Sequence, residues 1–311
     1  MDTLRASELI LNKDGSIYHL NLRPNQVATT IITVGDPDRV VTVSKHFDKI
    51  DLKVQKREFI THTGWIGSKR LTVISTGIGT GNIDIVINEL DALFNIDFDR
   101  KKIRDKITQL EFIRIGTSGC LKKEIPVDSY LVSEYAIGLD NLLSYYYFKR
   151  DPFEKNLKQS LKRFLKEKET KINKIPYVFY GNESLIETLG KNYKKGITLT
   201  CPGFYGPQGR QLRARNREAK LLDYFSAFND EHFSFELNNR KRNWQITNFE
   251  METAGIYGMA NLLEHKAISF NALLANRSTG AFSTQPEKVV EKLIVQVLDS
   301  ITAQSNDSLV V

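Results

Sequence analysis

Short β-branched runs alternate along this chain with glycine or small-polar turns and helix-like segments, and that alternation limits its fold more than any other feature. Strand-length apolar runs fall at 30–34, 71–75, 112–115, 129–132, 196–200 and 268–274. After the first, Asp36 can cap exposed backbone N–H groups and Pro37 has the fixed φ that suits a first helical position. After the second, a glycine-rich turn from Thr76 enters an amphipathic pattern. Further helical patterns follow 249–252 and occupy 286–301. Such alternation predicts one α/β domain over 1–311, with a core of 15–303, in which helices flank a mixed central sheet as three layers. The charged stretch 97–109 reads as an inserted helix or loop, and 304–311 as a frayed tail.

Composition narrows the function classes. The hydrophobic fraction of 41% and charged fraction of 26% are those of a soluble globular chain. The first residues have no continuous apolar core, and no run approaches the roughly 20 apolar residues that span a bilayer. Cytoplasm is therefore the expected compartment, with no membrane partner. Cys120 and Cys201 are expected as free thiols, and no metal-ligand spacing surrounds them. The net charge of +7 sits largely in 101–106, 155–171 and 191–195. Acidic residues interrupt the first two runs, so solvated helical faces are expected rather than a nucleic-acid surface.

Isolated arginines carry more information. Gly35 to Arg39 lie where a strand ends and a helix begins, a place that offers unpaired N–H groups to an anion. Arg114 stands inside an apolar strand, where a charge that cannot be removed by deprotonation needs an anionic partner. Thr117 and Ser118 follow in a small-polar segment, 116–119, that reads as a turn. Arg57 is a third candidate, equally readable as a surface charge at a strand edge. The run 75–81 lacks the lysine of a nucleotide-phosphate loop and is read as a tight turn that brings backbone close to a neighbouring site.

Assembled, the segments GDPDRV (35–40), REF (57–59), STGIG (75–79), RIGTSG (114–119), GFYGPQGR (203–210), NFEMET (248–253) and ANR (275–277) resemble the nucleoside phosphorylase superfamily, and within it the uridine phosphorylases. The resemblance implies that Gly35, Arg39, Arg114 and Thr117 hold phosphate. It implies that Arg57 reaches a partner's phosphate site and that His19 reaches a partner's ribose. Glu250, Met251 and Glu252 are placed at the ribose, with Glu252 accepting from its hydroxyls. Ser118, Gly119, Phe204, Gln208 and Arg210 are placed at the base. Gln208 can both donate and accept, matching a uracil carbonyl and N3–H, and Arg210 can donate to O4.

The implied reaction is reversible phosphorolysis of uridine, deoxyuridine or thymidine, with Arg210, Gln208 and Arg114 as catalytic residues. Inorganic phosphate is the co-substrate and no cofactor is required. A homodimer is the implied minimal unit, with a hexamer as the larger alternative. Two departures stand out. The base loop reads YGPQGR, with glycine where the family has an acid before the arginine. The family's monovalent-cation position near Glu58 and Ile78 has Asn82 in place of serine, so no cation is assigned. No acid occurs at 276–278, unlike purine-type members. Competing readings are a purine phosphorylase, a nucleosidase and a non-catalytic nucleoside binder.

Overall fold

The computed structural model describes residues 3–149, 152–170, 176–229, 236–237, 240–241 and 245–307. It begins with β1 (Thr30–Val34), α1 (Pro37–Ser44), β2 (Lys49–Lys56), β3 (Phe59–Ile66), β4 (Lys69–Ser75) and α2 (Thr80–Asn95). Two short strands, β5 (Ile96–Asp97) and β6 (Lys102–Ile103), precede β7 (Glu111–Cys120) and β8 (Tyr130–Gly138). Then come α3 (Pro152–Glu167), β9 (Tyr177–Tyr180), α4 (Glu183–Thr188), β10 (Lys194–Thr200) and α5 (Leu221–Ala227). The short β11 (Glu236–Leu237) and β12 (Arg240–Lys241) lead to β13 (Ile246–Glu250), α6 (Thr253–Leu262), β14 (Lys266–Asn276) and α7 (Pro286–Asp307).

The main sheet runs β13-β10-β8-β14-β7-β1-β4-β3-β2, with β9 paired on β8. Its centre is parallel (β4, β1, β7, β14), whereas β2, β3 and β4 form an antiparallel meander, so the sheet is mixed as the alternation predicts. Successive residues of β1 face opposite layers, as the two-residue strand period requires. Ile31 joins the cluster built with α2 and α6, and Ile32 joins the cluster built with α1 and α7. A third cluster packs α3 and α5 beside β10 and β13.

One pairing reshapes this sheet. After β10, strand β13 also meets β7, antiparallel, at Asn248↔Cys120 and Phe249↔Gly119. The strands β7, β14, β8, β10 and β13 therefore form a closed circuit whose interior must be filled by side chains. The expected turn at 116–119 is instead strand, because β14 on one side and β13 on the other pair with the far end of β7. Its glycines serve close packing. The Arg114 guanidinium lies where a side chain on Gly116 would begin, and the Phe249 ring where one on Gly119 would.

Two other expectations are corrected. Over 97–109 there is no inserted helix: β5 and β6 pair as a small hairpin at its start, and 104–109 are the loop alternative. The tail is not frayed from 304, because α7 continues to Asp307, and 308–311 lie outside the described residues. The sequence reading also missed the β2–β3 hairpin. Polar residues (Lys49, Asp51, Lys53, Gln55) alternating with aliphatics in β2 give it an exposed face and a half-buried face at the sheet edge.

Candidate active site

The anion end is built at the carboxyl end of β1 and along the middle of β7. Asp36 caps α1 by accepting from the Asp38 N–H at 3.0 Å, and Pro37 opens the helix. This fixes Arg39 in the first turn. Burial is the largest influence on the Arg39 guanidinium and lowers its pKa; Asp36 opposes this, and nearby Arg114 adds to it. No hydrogen bond or ion pair joins that guanidinium to any described residue. Arg114 is the opposite case. One terminal nitrogen lies 2.9 Å from Glu250 and 2.8 Å from Glu252, while the other donates to Asn271 Oδ1 at 3.2 Å. Burial disfavours its charge, but the two carboxylates outweigh that and raise its pKa.

The two carboxylates have different surroundings. Glu250 accepts from Thr200 Oγ1 at 2.6 Å and from the backbone N–H groups of Glu252 and Thr253, both at 2.9 Å. Its carboxylate thereby holds the start of α6 and is engaged within the protein. Glu252 accepts from the Gly79 N–H at 2.8 Å, so the glycine turn does bring backbone to a neighbouring group. Burial, the largest influence, pushes the Glu252 carboxyl above the usual carboxylate range; Arg114 pulls it back and Glu250 adds to the rise.

The other end carries aromatic and amide groups. A 3₁₀ turn at Gly206–Gln208, closed by Gly209 at φ 68°, buries Gln208 and returns the chain to Arg210. The Arg210 guanidinium lies 3.9 Å from the Phe204 ring centroid and 5.7 Å from that of Phe249. It donates to Phe204 O at 2.8 Å and also to the side-chain oxygen of Gln208. Gln208 Nε2 donates to no described residue. Burial, then the neighbouring Arg277, lowers the Arg210 pKa.

Gly35, Arg39, Arg114, Thr117, Ser118, Gly119, Phe204, Gln208, Arg210, Glu250, Met251 and Glu252 line one cavity of about 790 Å³. Arg57 and His19 do not reach it. They lie together elsewhere: Arg57, at the β2–β3 turn with φ 55°, stands 5.9 Å from the Tyr18 ring centroid, and that ring packs edge-on against His19. Glu89 of α2 fixes this corner, accepting from the His19 and Leu20 N–H groups and meeting the His19 ring at 2.6 Å.

Sequence reasoning missed several lining residues, among them Phe249, Leu274 and Phe282. It also passed over Arg277, which donates to Gly209 O at 3.1 Å and so ties the base loop to the end of β14. Both Phe249 and Arg277 sit inside quoted segments, but an aromatic in a strand and an arginine after one have no pattern of their own. Asn82 Nδ2 donates to Glu58 Oε1 at 3.3 Å at the cavity wall. Asn276 turns away from the cavity, donating to the carbonyls of Lys122 and Ile125. Among the described residues no group of His, Cys, Asp or Glu is arranged to hold a metal, and no helix is long and apolar enough to cross a membrane.

Comparison with known proteins identifies the family. The family model described as the phosphorylase superfamily matches residues 29–300. A uridine phosphorylase of Thermococcus kodakarensis is 29% identical over 283 residues, covering 91% of this chain and 86% of that protein. A uridine phosphorylase of Haemophilus influenzae is 26% identical over 267 residues, 84% of this chain and 87% of that one. Among solved structures, a Trypanosoma brucei nucleoside phosphorylase described as showing uridine phosphorylase activity superposes with a TM-score of 0.81. It is 26% identical, and the match covers 94% of this chain and 99% of that one.

Proposed function

Because the chain belongs to the phosphorylase superfamily, we propose that it is a pentosyltransferase of the uridine phosphorylase type, converting uridine and phosphate to uracil and ribose 1-phosphate. The observation that carries this reading is the meeting of three chemistries in one cavity. Arginines lie at one end, a buried carboxylate beside a methionine in the middle, and an amide, a guanidinium and an aromatic ring at the other end.

Phosphate bound by Arg39, Arg114, Thr117 and the Gly35 backbone attacks C1′ as the bond to the base N1 breaks. The electron pair leaves with uracil, and the proton of hydrogen phosphate ends on the released base. Positive charge develops on the sugar and negative charge on the base, so fixed charges and donors do most of the work. Phosphate faces the sugar cation, while Gln208 and Arg210 face the leaving uracil. The unused Gln208 Nε2 and the half-engaged Arg210 suit two carbonyl oxygens, and Phe204 supplies a stacking face. Glu252 accepts from the ribose hydroxyls and Met251 packs on the sugar. Glu250, whose carboxylate is already engaged, acts by holding Arg114 and Glu252 in place. The smallest active unit is a dimer, in which Arg57 and His19 complete the partner's site. Thymidine and deoxyuridine fall within the same reaction class: an added methyl is only weakly discriminated by an apolar pocket, whereas loss of the 2′-hydroxyl takes a donor away from Glu252.

The test is base release from uridine, thymidine, inosine and adenosine, with and without phosphate. Phosphate-dependent uracil release is expected. Release that ignores phosphate would make the protein a nucleosidase, preference for inosine would make it a purine enzyme, and binding without release would make it a non-catalytic nucleoside binder.

A further inference from the structure

The interior of the closed strand circuit is polar, and each of its five strands contributes a side chain to a single hydrogen-bonded path. The path starts at Arg114 on β7, which donates to Asn271 Oδ1 on β14 at 3.2 Å. Asn271 Nδ2 lies 3.0 Å from Ser133 Oγ on β8, and Ser133 Oγ lies 2.5 Å from Thr198 Oγ1 on β10. Thr198 Oγ1 donates to Asn248 Oδ1 on β13 at 2.9 Å, and Asn248 Nδ2 lies 3.1 Å from Ser118 Oγ, back on β7. Asn271, Ser133, Thr198 and Asn248 are all fully buried.

The first bond and the Thr198 hydroxyl's donation to Asn248 Oδ1 together give the path one consistent direction. A guanidinium only donates, so Asn271 must turn its oxygen to Arg114 and its amide N–H to Ser133. Ser133 then gives its own proton to Thr198, Thr198 gives its proton to the Asn248 oxygen, and Asn248 gives an N–H to Ser118. Ser118 Oγ receives a bond from behind, so its proton is available only toward the cavity it lines. Bonds aligned donor to acceptor in this way polarise one another.

We infer that Asn271 and Thr198 are positioning residues for the reaction. Through this path the phosphate-end arginine fixes Ser118 as a hydrogen-bond donor to a carbonyl oxygen of the base. The inference rests on the functional reading above, which places phosphate at Arg114 and the base at Ser118. It gives the cavity a preference it would otherwise lack, because a serine hydroxyl left to rotate serves donor and acceptor alike. Without the Thr198 hydroxyl, Asn248 can turn over and draw the Ser118 proton inward. Thr247 Oγ1 also donates to Asn248 Oδ1 at 3.0 Å, but it does not prevent this, because its hydroxyl has an alternative acceptor in Ile197 O at 3.3 Å and can accept from the turned amide.

Steady-state constants for uridine and phosphate, measured in Thr198→Val, Thr198→Ser, Ser133→Ala and Asn271→Leu, test the path. Thr198→Val and Ser133→Ala should each raise the KM for uridine roughly fivefold, the size of one hydrogen bond, with the KM for phosphate unchanged. Thr198→Ser should restore the uridine value, and Asn271→Leu, which also takes one acceptor from Arg114, should raise both constants. Thr198→Val combined with Ser118→Ala should be no worse than Ser118→Ala alone, because the two act in series. Additive effects in that pair, or equal changes in both constants for Thr198→Val or Ser133→Ala, would overturn the inference while leaving the function intact. An unaltered protein inert toward uridine and phosphate would overturn the function, and the inference with it.

Discussion

Arg39 and Arg114 are close enough to influence each other's charge, yet only Arg114 is tied to carboxylates. Arg114 is thus a fixed positive wall, and Arg39 is the arginine able to turn onto an incoming anion. Arg39→Ala should raise the KM for phosphate roughly ten- to hundredfold, the equivalent of about 1.5–3 kcal/mol for a bond to a charged group. The KM for uridine should change much less, and initial rates over a phosphate series decide it. Glu252 gives a pH prediction. Its carboxyl is raised, so the native protein keeps that proton at a pH where the unfolded chain has lost it. On acidification the hydroxyl-accepting, ionised form therefore disappears sooner than an ordinary carboxylate would. The acid limb of kcat/KM for uridine should lie above the usual carboxylate range, and Glu252→Gln should lower the plateau and remove that limb. A limb that persisted in Glu252→Gln would assign the titration to another group.

At the scale of elements, β7 carries both Arg114 and Ser118 and pairs with three neighbours, so the spacing between the two ends of the cavity is a strand repeat. Gly119 permits this because the Phe249 ring packs against its backbone. Gly119→Ala should push that ring aside and cost about 1–3 kcal/mol, as overpacking does, seen as a lower Tm with reduced affinity for uridine. The sequence made much of this scale legible: β1, α1 and its Asp36 cap, and the turn into α2 are all marked by residue types with strong local preferences. It hid the end of β7, because small polar residues in sequence look like a turn. The distant strands β14, along the whole segment, and β13, at its end, make 116–119 extended. The β2–β3 hairpin does leave a mark, the two-residue alternation of polar and aliphatic residues over 49–56, but with no continuous apolar run of the kind that marks the other strands.

For the whole molecule, the placement of Arg57 and His19 outside the chain's own cavity was legible only through resemblance, since neither residue has a local pattern. If each site borrows these groups from a neighbour, two crippled variants should help each other. Mixed after joint refolding, Arg57→Ala and Arg39→Ala chains should form some heterodimers with one intact site, and the mixture should recover about a quarter of full activity if chains pair at random. Assayed at phosphate well below the raised KM, separate solutions of either variant should stay near background, and a mixture no better than their mean would remove the shared site.

The strand circuit has a further bearing on how the protein comes into being. Closing it brings Gly119 and Cys120 against Phe249 and Asn248, partners separated by most of the chain's middle, and such distant contacts form slowly. Helices α1 and α2, built from local contacts, can form well before that. During refolding from denaturant, the far-ultraviolet helical signal should therefore return first, with competence to cleave nucleoside lagging behind it until the last strand is seated.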